Sequence, residues 1–218
     1  ASLGYAALSN NTTGSGNIGI GEHGLYSNTT GGANIGIGYQ TFGTTTANNT
    51  GNYNIGIGTN SLFNSTTGYS NVGIGSGALE ANTSGYENTA VGYLALTANK
   101  TGTGNSAFGN LAGLYSTGSN NTYMGINTGG SVVTSTGSDN AFFGAFAGEY
   151  NTSGSSNAFF GRSAGNRSIA SNNNFFGTQA GYLTTTGNNN VAMGYQAFVG
   201  NTIGGANTYI GNYAGYGG

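Results

Sequence analysis

Residues 71–75 read Asn-Val-Gly-Ile-Gly, and the same pattern returns as Asn-Thr-Ala-Val-Gly at 88–92 and as Asn-Ser-Ala-Phe-Gly at 105–109. This phrase, Asn-x-x-(large apolar)-Gly, recurs along the whole chain at intervals of 16 to 20 residues. A unit this short cannot bury a hydrophobic face alone, so each copy must stack on its neighbours. The recurring asparagines are Asn17, Asn34, Asn54, Asn71, Asn88, Asn105, Asn121, Asn140, Asn157, Asn173, Asn190 and Asn207.

This period predicts an all-β fold, a parallel β-solenoid or β-roll with coils of about 17 residues and about 12–13 coils. The prediction covers residues 1–218 as one repeat domain, and we expect it to be an excerpt of a longer fibrous protein. The repeated asparagine is interpreted as a structural ladder in which each side-chain amide bonds to the coils above and below.

The composition restricts the function. The chain has 45 Gly and no Pro, Cys or Trp, and only 4% of its residues are charged, with a net charge of -2. Clustered Lys and Arg, which nucleic acid requires, are missing, so we expect no nucleic-acid partner. Thiolate metal sites are excluded, and no apolar run reaches the roughly 18–20 residues that span a bilayer, so we expect no membrane insertion of this segment.

Each phrase ends in a glycine, which we call the closing glycine. The two residues before it form two rows when the copies of the repeat are aligned. The residue immediately before the closing glycine is always apolar, as in Ile74, Val91 and Phe108, and we expect this row to face the core. Alternation along a strand then places the preceding residue on the outside. Because a soluble monomer would not leave aligned phenylalanines exposed, we interpret that second row as an oligomer interface. The interface candidates are Gly19, Gly36, Gly56, Gly73, Tyr123, Phe142, Phe159, Phe175 and Tyr209.

The phrase Asn88-Thr-Ala-Val-Gly-Tyr-Leu-Ala-Leu96, followed by the Thr101-Gly102 corner and Asn105-Ser-Ala-Phe-Gly109, resembles the head repeats of trimeric autotransporter adhesins and related repeats in phage tail fibres. The resemblance covers essentially the whole chain. It implies a left-handed parallel β-roll with three chains around one axis, displayed on a bacterial surface or a virion fibre. It also implies binding to host matrix or surface molecules.

Catalytic chemistry has little support in the sequence. The single histidine, His23, follows Glu22 next to a glycine corner, and this pair is typical of a solvated loop. Glu80 and Glu87 are two lone carboxylates rather than a hydrolase pair. An acidic calcium repeat needs an Asp in every coil, and only Asp139 is present. We therefore expect no catalytic site, no metal and no cofactor.

Tyrosines near the variable edge of the coil are candidates for ligand contact, because an amphipathic ring can stack on a sugar while nearby amides and hydroxyls bind its hydroxyl groups. They could equally stabilise loop packing. Several Asn-x-Ser/Thr sequons lie in the same region and are potential glycan acceptors only in a host that glycosylates them. The tyrosine candidates are Tyr26, Tyr69, Tyr86, Tyr115 and Tyr150.

The sequence therefore predicts a non-enzymatic, extracellular fibre segment of an adhesin that presents a rigid repeat rod and attaches to host or surface molecules. The expected partners are copies of the chain itself, as a homotrimer or an end-to-end filament, and a host matrix or surface glycan. An alternative is a purely structural shaft, either of a phage tail fibre or of a self-assembling extracellular filament.

Overall fold

The computed structural model describes residues 1–43 and 48–217. The chain divides into two compact units, Ala1–Ser106 and Ala107–Gly218. The described residues contain 13 short strands and no helix. The strands are β1 Ser2–Leu3, β2 Ile18–Ile20, β3 Ile35–Ile37, β4 Ile55–Ile57, β5 Val72–Ile74, β6 Thr89–Val91, β7 Ser106–Phe108, β8 Thr122–Met124, β9 Ala141–Phe143, β10 Ala158–Phe160, β11 Asn174–Phe176, β12 Val191–Met193 and β13 Thr208–Ile210.

All strand pairing follows the order of the sequence. In the first unit β1 to β6 pair consecutively and in parallel, and in the second unit β8 to β13 do the same. Equivalent residues of the repeat lie side by side, as Gly36 does with Gly56. The predicted parallel β-solenoid with coils of about 17 residues is confirmed, and it makes about 12 turns.

Each coil has one strand, and left-handed residues recur at fixed positions along the rest of its path. Left-handed positions recur two and four residues after the closing glycine and directly before the ladder asparagine, as at Gln40, Phe42 and Ala33 with φ of 53°, 50° and 54°. The closing glycines themselves have φ between 108° and 142°. A β-carbon at Gly109 would lie 2.5 Å from the carbonyl oxygen of Gly125, so both backbone angle and coil spacing require glycine there.

The middle residue of each strand, which we call the strand-centre row, faces the interior. This corrects the sequence prediction that the row faces outward and forms an oligomer interface. Within the described residues, eight of the interface candidates are buried inside the chain itself, and Tyr209 is partly buried. The eight buried candidates are Gly19, Gly36, Gly56, Gly73, Tyr123, Phe142, Phe159 and Phe175.

The interior is narrow, and this explains the error. Most coils contribute one large side chain to it, from one of two positions. In the first unit the large residue stands four positions after the closing glycine, and Leu25 covers Gly36, whose added β-carbon would lie 2.8 Å from the leucine Cγ. In β9 the large residue is at the strand centre, and Phe142 covers Gly148, whose added β-carbon would lie 2.4 Å from its ring. A second row of isoleucines would not fit inside.

The residue before the closing glycine was predicted to face the core, and this prediction is also wrong. These side chains are half-buried or exposed: Met124 is 45% exposed and Ile210 70%. Since alternate residues of a strand point to opposite faces, burying the strand centre turns the first and third residues outward. We call these two exterior rows the outer rows.

Candidate binding surfaces

The twelve recurring asparagines form a hydrogen-bonded ladder in each unit. Asn71 is typical: its backbone N–H and its Nδ2 donate to Oδ1 of Asn54 at 2.9 and 3.1 Å, and Nδ2 also donates to the carbonyl oxygen of Gly85 at 2.8 Å. Its own Oδ1 accepts from Asn88 in the next coil. The side chain therefore joins the preceding ladder residue to the Thr-Gly or Ser-Gly corner of the following coil. This role uses two N–H donors and one acceptor on the same side chain, as a carboxamide provides.

A second file of buried polar residues lies three or two positions before the glycine of each corner. Asn28 donates through Nδ2 to Oδ1 of Asn11 at 2.8 Å and to the carbonyl oxygen of Gly31 at 3.0 Å. Five sequon asparagines are buried in the coil, which makes them poor glycan acceptors in the folded chain. They are Asn28, Asn82, Asn99, Asn151 and Asn166.

The outer rows of the first unit form an exposed apolar surface of branched side chains. In β2 to β5 both outer residues are isoleucine or valine, and each is half-buried or exposed. The in-register pairing aligns them in two straight files along the sheet. The members are Ile18, Ile20, Ile35, Ile37, Ile55, Ile57, Val72 and Ile74.

In the second unit the side chains of the two outer rows differ in size. The third residue of each strand is large, and the rings of Phe143, Phe160 and Phe176 stack at centroid distances of 4.6 and 5.0 Å, within 6° of parallel. In β9 and β10 the first residue of the strand is the small Ala141 or Ala158. A ridge of aromatic rings therefore runs beside a shallow groove, on the side of the sheet opposite the core.

The structure brings together two of the five tyrosine candidates. Tyr69 and Tyr86 occupy equivalent positions in successive coils, and their rings stack at 4.8 Å within 4° of parallel. They are 42% and 37% exposed, and the neighbouring Tyr53 is 69% exposed. We call Tyr69 and Tyr86 the tyrosine pair.

The other three candidates are separate from this pair. Tyr26 is half-buried and meets the ring of His23 edge-on at 4.9 Å. In the second unit Tyr115 is 42% exposed, and Tyr150 is half-buried with the Arg167 guanidinium 5.5 Å from its ring centre. The contacts of Tyr26 and Tyr150 fit the packing role that the sequence left open for them.

Sequence reasoning missed the outer rows, although a signal for them exists. Wherever the strand centre is Phe, the fourth residue after the closing glycine is Gly, as in Phe159 with Gly165 and Phe175 with Gly181. Where that fourth residue is Leu, the strand centre is a small residue: Gly or Ala, or Ser2 in the first copy. Two positions that exchange size in this way share one space. This reciprocity identifies the strand centre as interior.

The titratable groups are scattered. Burial raises the pKa of the Tyr123 phenol well above its usual range, although a 2.9 Å hydrogen bond with Ser116 opposes the shift. Elsewhere in the described chain no three His, Asp or Glu side chains gather as a metal site, and no enclosed pocket is found. Nor does the described part include a helix with the length and hydropathy of a membrane span.

Comparison with protein-family models, with curated proteins and with solved structures found no match to this chain.

Proposed function

We propose that this chain is a non-enzymatic segment of an extracellular adhesin fibre that associates with copies of itself through its outer rows and attaches to host or surface molecules. The observation that carries the proposal is the exposed apolar sheet face in each unit. In the first unit it consists of aligned isoleucines, and in the second of the stacked Phe143, Phe160 and Phe176. Contiguous apolar surface of this kind marks an interaction site in soluble proteins.

The shape of this face supports association around an axis parallel to the ladder. Copies related by such an axis have equivalent coils side by side. The third residue of each strand in one chain can then contact the first residue of the equivalent strand in the next chain. In β9 and β10 that contact puts Phe143 and Phe160 against small alanines. Large side chains then fill the grooves beside small ones, as in a packed core. A closed ring of three such chains is the arrangement that the adhesin resemblance implies.

The low charge of the chain supports a fibre role. With 4% charged residues, the surface has little electrostatic attraction for nucleic acid or an anionic membrane. The ladder and corner hydrogen bonds repeat in every coil, so stability grows with each added neighbour interface. Such a segment suits a long structure that holds a binding surface away from its anchor.

The experiment that tests the adhesive role is bead attachment. Beads coated with the folded chain are washed over cultured host cells and over immobilised extracellular matrix, beside beads coated with an unrelated protein of equal net charge. We expect the chain to retain more beads than the control on at least one surface. Retention equal to the control on every surface would refute the adhesive role and leave the structural shaft.

A further inference from the structure

The first unit carries an exposed patch around the tyrosine pair. Tyr69 and Tyr86 stand two residues before the ladder asparagines Asn71 and Asn88, which are buried and hydrogen-bonded. The rings are thus fixed at their base by the most regular part of the coil. Because the two rings already stack on each other, binding would cost little further side-chain ordering.

A file of hydroxyl groups runs beside the pair. Thr67, Gly68 and Tyr69 alternate exposed, buried, exposed, and Ser84, Gly85 and Tyr86 repeat the pattern. Each tyrosine therefore has an exposed hydroxyl residue two positions before it in the same coil.

Gly68 and Gly85 each lie between a hydroxyl residue and a tyrosine, and their lack of a side chain keeps this surface close to the backbone. A β-carbon at Gly68 would lie 2.5 Å from the carbonyl oxygen of Gly85. The coils consequently approach closely at this point, and the hydroxyl and aromatic files remain parallel from one coil to the next.

An amide flanks the patch in the preceding coil. Asn52 occupies the position equivalent to Tyr69, is exposed, and accepts a hydrogen bond from the Gly32 N–H through Oδ1 at 2.7 Å. That bond orients the side chain, and Nδ2 is 3.5 Å from the carbonyl oxygen of Thr50. A long contact of this kind leaves the amide able to donate to a ligand.

The charge of the first unit selects the ligand class. Its charged side chains are Glu22, Glu80, Glu87 and Lys100, too few to attract an anion or a cation. A ligand that suits stacked phenol rings, hydroxyls and one amide is neutral, ring-shaped and rich in hydroxyl groups. Because the two rings stack face to face, a ligand meets the outer faces and the exposed edges of the pair.

We propose that the tyrosine pair, with Thr67, Ser84 and Asn52, binds a neutral oligosaccharide, whose sugar rings pack on the outer faces and edges of the stacked phenols while its hydroxyls bond to the neighbouring side chains. This inference rests on the proposed adhesive function and identifies the class of molecule that the fibre attaches to.

The test is a titration of the folded chain with mannohexaose, cellohexaose and chitohexaose, followed by the tyrosine resonances in NMR and by calorimetry. We expect at least one of these oligosaccharides to bind. The double variant Tyr69→Ala/Tyr86→Ala should weaken that binding by about tenfold or more, since it removes both stacking surfaces. Tyr115→Ala, which removes a tyrosine of matched exposure, should leave the affinity unchanged.

Three results would overturn the inference: no binding of any of the three oligosaccharides, equal binding by the double variant, or tighter binding of a sulfated heparin hexasaccharide than of the neutral sugars. Tyr69→Phe/Tyr86→Phe is the control for misfolding of the alanine variant. It keeps both rings and should retain most of the affinity. Bead attachment that persists without any sugar binding would refute this inference but leave the proposed function standing. Loss of both would refute the adhesive role itself.

Discussion

At the scale of single residues, each ladder asparagine holds its coil by bonds that use both the N–H donors and the oxygen acceptor of its carboxamide. Asn157 donates to Oδ1 of Asn140 and to the carbonyl oxygen of Ala170, and accepts from the Asn173 N–H. The sequence alone indicated this ladder, because stacked identical amides satisfy one another. The sequence did not reveal the link to the corner of the next coil, since that contact depends on how the chain turns between the two positions.

Removing one ladder amide should be costly. Asn157→Ala leaves the Ala170 carbonyl and the Asn173 N–H without their partner inside the coil, and we expect the free energy of unfolding to fall by about 3 kcal/mol. Urea unfolding followed by circular dichroism measures this. Asn110→Ala, at an exposed position of the same unit, should change stability by less than about 0.5 kcal/mol. Equal effects of the two substitutions would contradict the ladder's role.

The buried phenol of Tyr123 should make the fold sensitive to alkali. Its pKa is raised by burial, so above the unfolded value of about 10 the unfolded chain loses a proton that the folded chain keeps. Stability is therefore fully present below about pH 10 and falls above it by about 1.4 kcal/mol per pH unit for this group.

The comparison for this prediction is Tyr123→Phe, in which the alkaline loss from this residue is abolished. The cost at pH 7 should be about 1 kcal/mol, for the hydrogen bond with Ser116. Urea midpoints at pH 8 and pH 11 provide the measurement, with Tyr115→Phe as the control for loss of an exposed phenol. The prediction fails if wild type and Tyr123→Phe lose stability equally between these two pH values.

At the scale of the coil, the period predicted the strands and their parallel order but not which face is interior. The alternation of side chains along a strand separates the residues of Ile35–Ile37 into two faces, but it does not identify which face is buried. The closing glycine, the strand and the corner were all readable from their spacing. Which face is buried depends on the path of the coil between the strands, where residues such as Phe42 and Leu62 have left-handed backbone angles that a hydrophobic pattern does not predict.

The interior of a coil is filled by a large side chain either at the strand centre or four residues after the closing glycine, and we expect these two arrangements to be interchangeable within one coil. Phe175→Ala alone removes a buried ring and should cost about 3–5 kcal/mol, and Gly181→Leu alone overpacks against that ring, which an added β-carbon would approach to 2.3 Å. The double variant reproduces the pattern of Ala90 with Leu96, in which the leucine has φ of 51°.

We therefore expect the double variant to be more stable than the sum of the two single effects implies, by about 1–3 kcal/mol of favourable coupling. A four-member urea-unfolding cycle measures it. Phe175→Ala combined with Asn110→Ala is the matched control, since those two sites share no space and their effects should add. Additive effects of Phe175→Ala and Gly181→Leu would show that the two side chains do not compete for one space.

At the scale of the whole molecule, function depends on surfaces that the repeat leaves uncovered. The tyrosine candidates could be chosen from the sequence, because they lie near the variable edge of the repeat. Their arrangement could not, since the stacking of Tyr69 on Tyr86 depends on the register of two coils. The residue before the closing glycine was assigned to the core, so the proposed interface now lies on the residues on either side of the strand centre.

A charge on an outer row should prevent assembly without unfolding the chain. Ile57 is half-buried on the outward face of β4, so Ile57→Glu keeps its carboxylate in water in a single chain but buries it between associated chains. We expect the particle mass to fall to that of one chain while circular dichroism is retained. Tyr39→Glu, at an exposed position outside the strand, is the matched control and should keep the wild-type mass.

The measurement that tests the central proposal most directly is the absolute mass of the wild-type chain in solution, by light scattering over a range of concentrations. Association through the outer rows as a closed trimer predicts three times the chain mass of 21.6 kDa, unchanged on dilution. A constant single-chain mass would contradict the proposal. A mass that rises steadily with concentration would contradict the closed trimer and support the end-to-end filament.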